Sequence, residues 1–199
     1  MAIADRHPAG SVTGRGWLAA GYVGAGGFFV QEMLLRHRGS ASNLNASRDD
    51  KGTTRTLLAA SGFAYAAPLA LRRLPVPSLP AVVGAVGLIL QACGLALRVW
   101  SMRTLGGFYT RTLRTTQDQT VVDTGPYRVI RHPGYTGALL VWLGLGLTSR
   151  SAAATIVVAA VMGRAYRRRI SAEERLLQRG LPGYRAYSDR TKKLVPRIW

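Results

Sequence analysis

The chain has 199 residues, with 27 Lys or Arg against 9 Asp or Glu, a formal charge of +18, and 48% hydrophobic residues. A length near that of one domain and so basic a balance point first to nucleic acid or anionic lipid, but the charge-free run 79–97 excludes a soluble nucleic-acid binder. Cys93, the single cysteine, excludes an intramolecular disulfide and a cysteine zinc site; His7, His37 and His132 are too scattered for a metal centre, so no metal is expected.

In chain order, residues 1–16 hold Asp5, Arg6, His7, Pro8 and Arg15 without an apolar core, which does not fit a secretory signal. Residues 17–35 form a glycine-rich apolar span with one acid, Glu32. An ionisable group inside a span is a functional candidate by default. Its spacing from Arg36 instead predicts a snorkelling i,i+4 pair. The polar stretch 40–54, with Asn43, Asn45, Asp49 and Asp50, reads as a cytoplasmic loop. A short apolar span follows at 57–71, with Pro68 near its end, and Pro75, Pro77 and Pro80 fill an outer turn.

Residues 79–97 contain one amide, Gln91, and no charge, and about 20 such residues cross a bilayer core. From 98 to 133 there is no long apolar run. Turn signals stand at Gly106-Gly107 and Gly125-Pro126, so this segment reads as packed and functional rather than as a span. Runs 135–148 and 152–166 form an apolar hairpin. The apolar period of the second continues through 167–177, which predicts one helix leaving the membrane. On it Arg169 and Glu173 share a face, while Glu174 points about 100° away from Glu173.

The fold class predicted is all-α: a polytopic integral membrane protein with about five transmembrane helices. Twenty-two of the 27 Lys and Arg fall on one side of that topology, leaving only Arg6, Arg15, Arg72, Arg73 and Arg150 on the other. The positive-inside tendency then puts the C-terminus in the cytoplasm. Two regions result: 1–97 with three spans, and 98–199 with the hairpin, the polar cluster and the cytoplasmic tail. Small residues in the spans, such as Gly21, Gly24, Gly84, Gly87, Gly137 and Gly144, are expected to let helices approach closely.

Each member of the cluster has an ordinary reading. Arg169 and Glu173 suit an i,i+4 pair, Arg167-Arg168-Arg169 an anchor on anionic lipid, and Tyr127 and Tyr135 an interfacial belt. Together they say more. Glu173 and Glu174 are two of only nine acids, set at the mouth of an apolar hairpin opposite Arg131-His132, where negative charge suits a cationic or hydroxyl-rich ligand.

Gly-Pro-Tyr-x-x-x-Arg-His-Pro-x-Tyr-x-Gly at 125–137, the apolar hairpin, Arg-x-x-x-Glu-Glu-x-x-Leu at 169–177, Tyr-x-x-Tyr at 184–187 and Pro196 together resemble the isoprenylcysteine carboxyl methyltransferase family. The resemblance covers 98–199. It implies an integral membrane enzyme using S-adenosyl-L-methionine as cofactor. It also implies a cofactor pocket of Gln119, Thr120, Val121, Val122, Tyr127, His132, Pro133, Gly134, Tyr135 and Glu173, with Arg169 as the catalytic residue meeting the acceptor.

On this reading Glu173 accepts from a ribose diol or ammonium, His132 and the backbone near Pro133 and Gly134 meet a carboxylate, and Tyr127, Tyr135, Val121 and Val122 line an adenine slot. A carboxylate acceptor is ionised at neutral pH and needs no base; Arg169 could orient it by two parallel hydrogen bonds. A phenolic or quinone-like lipid, or a phospholipid amine, is the alternative acceptor. For a phenol, His132 or Glu174 is the candidate base. The non-enzymatic alternative is a basic lipid-binding membrane protein. The expected partners are a lipophilic or prenylated acceptor and membrane lipids; no pattern in the sequence specifies an oligomeric state.

Overall fold

The computed structural model describes residues 14–36, 50, 52–73, 77–108 and 120–196. These form six helices: α1 (Gly14–Arg36), α2 (Thr53–Leu71), α3 (Ala81–Leu105), α4 (Pro133–Thr148), α5 (Ala152–Gly180) and α6 (Tyr184–Arg190). Two short 3-10 turns lie at Gly106–Phe108 and Gly125–Arg128. Among the described residues there is no strand, only one parallel bridge between Ile130 and Lys192.

Glycine brings α3 and α4 together. A Cβ added at Gly94 would meet the Gly137 carbonyl at 2.5 Å, and one at Gly137 would meet the Gly94 carbonyl at 2.6 Å. The same reciprocity holds one heptad along, between Gly87 and Gly144, so the two backbones touch along a glycine seam. In lipid, where hydrophobicity does not drive helices together, such close backbone approach supplies the packing. α1 joins the pair through Gly21 against Thr148 and Gly24 against Gln91, whose Nε2 donates to the Gly21 carbonyl at 2.9 Å. Trp142, Leu145, Val158, Met162 and Ile170 fill the centre.

The α4–α5 hairpin closes on the side opposite the cluster. Ser151 caps α5 by accepting from the Ala154 amide at 3.2 Å. Arg150 takes a left-handed conformation (φ 55°), and its Nε donates to the Leu79 carbonyl at 2.5 Å. That bond ties the hairpin to the entry of α3.

One expectation is corrected. The helix carrying 79–97 does not end there but runs to Leu105, taking Arg98 and Arg103 with it. It can do so because Arg98 is neutralised inside the bundle. Its guanidinium pairs with Glu32 of α1 and lies 4.5 Å over the Phe28 ring. Glu32 is thus bound across the bundle; the pairing with Arg36 that its spacing predicts falls on a side chain outside the described residues. The boundary at 97 therefore falls within a continuous helix. Ala81–Phe108 is the one stretch among the described residues long and apolar enough, by length and composition, to cross a membrane. Large apolar side chains nevertheless face outward on four helices, including Met33 and Leu34 on α1, Phe63 on α2, Ile89 on α3 and Ile156 on α5.

Candidate active site

The site is assembled where the first turn of α4 meets the C-terminal half of α5. Gly125 has a positive φ of 54°, and a Cβ there would press on Thr104 at 2.9 Å, so glycine starts the turn. Pro126 and Tyr127 are then buried. Pro133 at the first helical position fixes the entry of α4 without an amide to satisfy.

The tail holds this turn in place. The Arg131 amide donates to the Lys192 carbonyl at 2.7 Å, and the His132 amide to the Lys193 carbonyl at 3.0 Å. Thr136 Oγ1 donates to the Leu194 carbonyl at 2.9 Å, and the Tyr187 hydroxyl to the Tyr127 carbonyl at 2.7 Å. From inside the bundle, Arg98 Nη1 donates to the Gly134 carbonyl at 3.1 Å.

The adjacent glutamates diverge, as their helical offset predicts. Glu173 Oε2 accepts from the Tyr135 hydroxyl at 2.5 Å. The Tyr135 oxygen accepts from Arg169 Nε at 3.3 Å, and its ring stacks on His132 at 5.7 Å between centroids. Glu174 faces the other way. Oε1 accepts from Arg131 Nε at 2.9 Å and lies 3.3 Å from His132 Nε2, while Oε2 lies 2.8 Å from Lys193 Nζ. Burial raises the carboxyl's pKa, but hydrogen bonds from His132, Lys193 and Arg131 outweigh it and hold Glu174 at about 2. Glu174 is thus committed to Arg131, His132 and Lys193 rather than to the side of Tyr135 and Arg169.

Arg169 is 3% exposed and already engaged. Its Nη1 donates to Asp50 at 2.5 Å and to the Thr53 and Thr54 hydroxyls at 3.0 Å each. Burial opposes its charge, but the negative potential around Tyr135, Glu173 and Asp50 raises its pKa further above the ordinary arginine value. Asp50, near the end of the polar stretch 40–54 read as a cytoplasmic loop, is itself fully buried. The sequence does contain a signal for it. An Asp shortly before Thr-Thr, at the start of an apolar run, is a helix-entry pattern, and Asp50 Oδ2 accepts from the Thr54 amide at 3.2 Å. Pairing that carboxylate with an arginine 119 positions away is a tertiary fact.

Of the sequence-derived site residues, the structure brings His132, Pro133, Gly134, Tyr135, Arg169 and Glu173 into one contiguous group. Val121 packs instead with Leu181, Tyr184 and Tyr187 in a separate small cluster. Val122 is half-buried, Thr120 is exposed, and Gln119 lies outside the described residues. Between the two groups stands Tyr184, 4% exposed, whose hydroxyl has no hydrogen-bond partner among the described residues. Burial, then the charges of Glu174 and Glu173, raise its pKa. A buried unpartnered hydroxyl beside two carboxylates fits a hydroxyl- and ammonium-bearing ligand such as S-adenosyl-L-methionine. Among the described residues no three His, Cys, Asp or Glu side chains meet to hold a metal ion.

Comparison with known proteins gives relatives by sequence and by fold. The sequence profile of the isoprenylcysteine carboxyl methyltransferase (ICMT) family matches residues 86–179. The chain is 33% identical over 116 residues to the cobalt-zinc-cadmium resistance protein CzcN of Cupriavidus metallidurans, covering 58% of this chain and 49% of that protein. It is 29% identical over 119 residues to a probable protein-S-isoprenylcysteine O-methyltransferase of Oryza sativa subsp. indica, covering 58% of this chain and 62% of that protein. The chain thus aligns over about half to three-fifths of these relatives' length. Among solved structures it resembles the eukaryotic intramembrane Ras methyltransferase ICMT, with a TM-score of 0.58 and 16% identity, over 93% of this chain and 65% of that one. That likeness establishes a shared fold.

Proposed function

We infer that this chain, which over residues 86–179 matches the isoprenylcysteine carboxyl methyltransferase family, is a membrane methyltransferase using S-adenosyl-L-methionine. It moves a methyl group onto a lipophilic acceptor, of which the carboxylate of an isoprenylcysteine-like molecule is the family's example. The observation that carries this reading is Tyr135, which stacks on His132, donates to Glu173 and accepts from Arg169. Four of the residues implied by resemblance, His132, Tyr135, Arg169 and Glu173, far apart in sequence, meet at this one ring.

When bound, S-adenosyl-L-methionine supplies an electrophilic methyl on a sulfonium. Glu173 and the Tyr184 hydroxyl would hold its hydroxyl or ammonium groups, and the positive charge of Arg131 and Lys193 beside His132 would favour its carboxylate end. The Tyr127 and Val121 side would receive the adenine. Methyl transfer is an in-line displacement, so the protein's work is alignment and exclusion of water. Arg169 and Tyr135 stand on the acceptor side of the group.

Helices α1 to α5 are proposed to span the bilayer, with the C-terminus cytoplasmic. The outward apolar residues on four helices support this, since an apolar outer belt suits lipid. So does the concentration of Lys and Arg on one side. At 16 residues, α4 spans only about 24 Å and relies on its glycine seam and on a locally thinned bilayer. Residues 1–97 would anchor and shape the acceptor route, and 98–199 would carry the chemistry, with Asp50 reaching across from the first region.

The test uses purified protein in detergent with methyl-labelled S-adenosyl-L-methionine and acceptors presented as prenylated cysteine, long-chain phenol and phospholipid amine. Label transferred to any of these supports the reading, and its base lability separates esters from ethers and amines. No stabilisation by S-adenosylhomocysteine and no transfer would leave only a basic lipid-binding protein.

A further inference from the structure

Asp50 is fully buried, and its carboxylate accepts from the Thr53 and Thr54 hydroxyls at 2.9 and 2.8 Å and from the Thr54 amide at 3.2 Å. The entry of α2 thus fixes this carboxylate by local bonds alone. Arg169 Nη1 meets it at 2.5 Å and also donates to both threonine hydroxyls at 3.0 Å. A guanidinium is a flat fork of fixed geometry, so anchoring Nη1 also sets where Nε points. It points at the Tyr135 oxygen, 3.3 Å away.

The next link follows from counting protons. An arginine only donates, so the Tyr135 oxygen accepts there, and the single hydroxyl proton is left for Glu173 Oε2 at 2.5 Å. Asp50, Arg169, Tyr135 and Glu173 therefore form one hydrogen-bonded chain in which every donor is assigned. Its two ends differ. Asp50 is closed off, whereas Glu173 is partly exposed and keeps Oε1 for a ligand.

We propose that Asp50 is a positioning residue for Glu173: by holding Arg169 from the far side, it leaves the Glu173 carboxylate preset, and its charge unspent, for an ammonium- or hydroxyl-bearing ligand. The inference deepens the methyltransferase reading above and rests on it. Charge carries it as much as geometry does. Arg169 is 3% exposed and needs a carboxylate beside it, and Asp50 and Glu173 are the carboxylates whose charges bear on it. The neighbouring cations Arg131 and Lys193 are paired with Glu174 on the opposite side. Without the charge of Asp50, Arg169 would turn to Glu173, one turn along the same face of α5, and claim the carboxylate that the ligand needs. Asp50 lies outside residues 86–179, so the family match says nothing of it.

Calorimetry with S-adenosylhomocysteine on the full-length chain in detergent tests this by a double-variant cycle. Asp50→Asn keeps the shape and removes the charge, and should weaken affinity by about fivefold, as for coupled members of one polar network. Glu173→Gln should weaken it by about tenfold and leave it measurable. In that background Asp50→Asn should change affinity by less than about twofold, because the group it acts through is already altered. A residue that only supported the fold would weaken both backgrounds alike. Thr53→Val takes one hydroxyl from the Asp50 cradle at nearly constant shape. It goes through the same cycle, should show a smaller loss with the same dependence on Glu173, and decides the matter if Asp50→Asn does not fold. Wild-type affinity in Asp50→Asn or in Glu173→Gln, or equal losses in both backgrounds, overturns the inference while leaving the methyltransferase reading standing. No binding of S-adenosylhomocysteine by the wild type sinks the reading itself.

Discussion

The Tyr135 hydroxyl donates to the Glu173 carboxylate at 2.5 Å, joining the first turn of α4 to the C-terminal half of α5. The same tyrosine oxygen is also the acceptor for Arg169. Tyr135→Phe removes both interactions while keeping the ring that stacks on His132. Affinity for S-adenosylhomocysteine is expected to fall by about tenfold, in line with a lost hydrogen bond to a charged group. Calorimetry on the purified variant measures it, and wild-type affinity would remove Tyr135 from the proposed pocket.

Acid should loosen the tail before it loosens the bundle. Glu174 titrates at about 2 in the folded chain against an ordinary 4.5. Its carboxyl is depressed by folding, so the unfolded chain takes the proton first as pH drops. The stabilisation is complete above about 4.5 and is lost as pH falls from there towards 2. The shift corresponds to at most about 3 kcal/mol. Thermal unfolding followed across that window should steepen for the wild type and flatten for Glu174→Gln.

The pair between Arg98 and Glu32 is buried at side-chain exposures of 5% and 16%. Removing one charge takes a buried pairing from the other, so Arg98→Leu alone should cost about 3 to 5 kcal/mol. The double variant Arg98→Leu with Glu32→Leu should recover most of that loss. Equal unfolding midpoints for single and double variants would argue against coupling.

The glycine seam sets a further expectation. Gly94→Ala puts a methyl against the Gly137 carbonyl and should destabilise by about 1 to 3 kcal/mol. Gly26→Ala, with nothing within 4 Å of the added carbon, should be neutral or stabilising by up to about 1 kcal/mol. Melting both variants in the same detergent compares them directly.

Local pattern made part of this molecule readable in advance. The uninterrupted apolar period from 152 into 177 predicts the long α5, and the His-Pro-x-Tyr turn predicts the entry of α4. The i,i+4 spacing places Arg169 and Glu173 on one face, as found. What the sequence could not display were pairings across the bundle. Arg98 looks like the polar end of a span until Glu32, 66 positions earlier, is placed beside it. Asp50 looks like loop until Arg169 is brought over it. Both carboxylates sit in segments whose local chemistry gives an ordinary explanation, and only helix packing decides otherwise. The divergence of Glu173 and Glu174 follows from helical geometry alone, but the partners of Glu174 required the docked tail.

The carbonyls of Lys192 and Lys193 hold the amides of Arg131 and His132. Because the anchor runs from main chain to main chain, exchanging either lysine side chain leaves these two bonds in place, and the histidine turn yields only when the backbone at 192–193 moves with it.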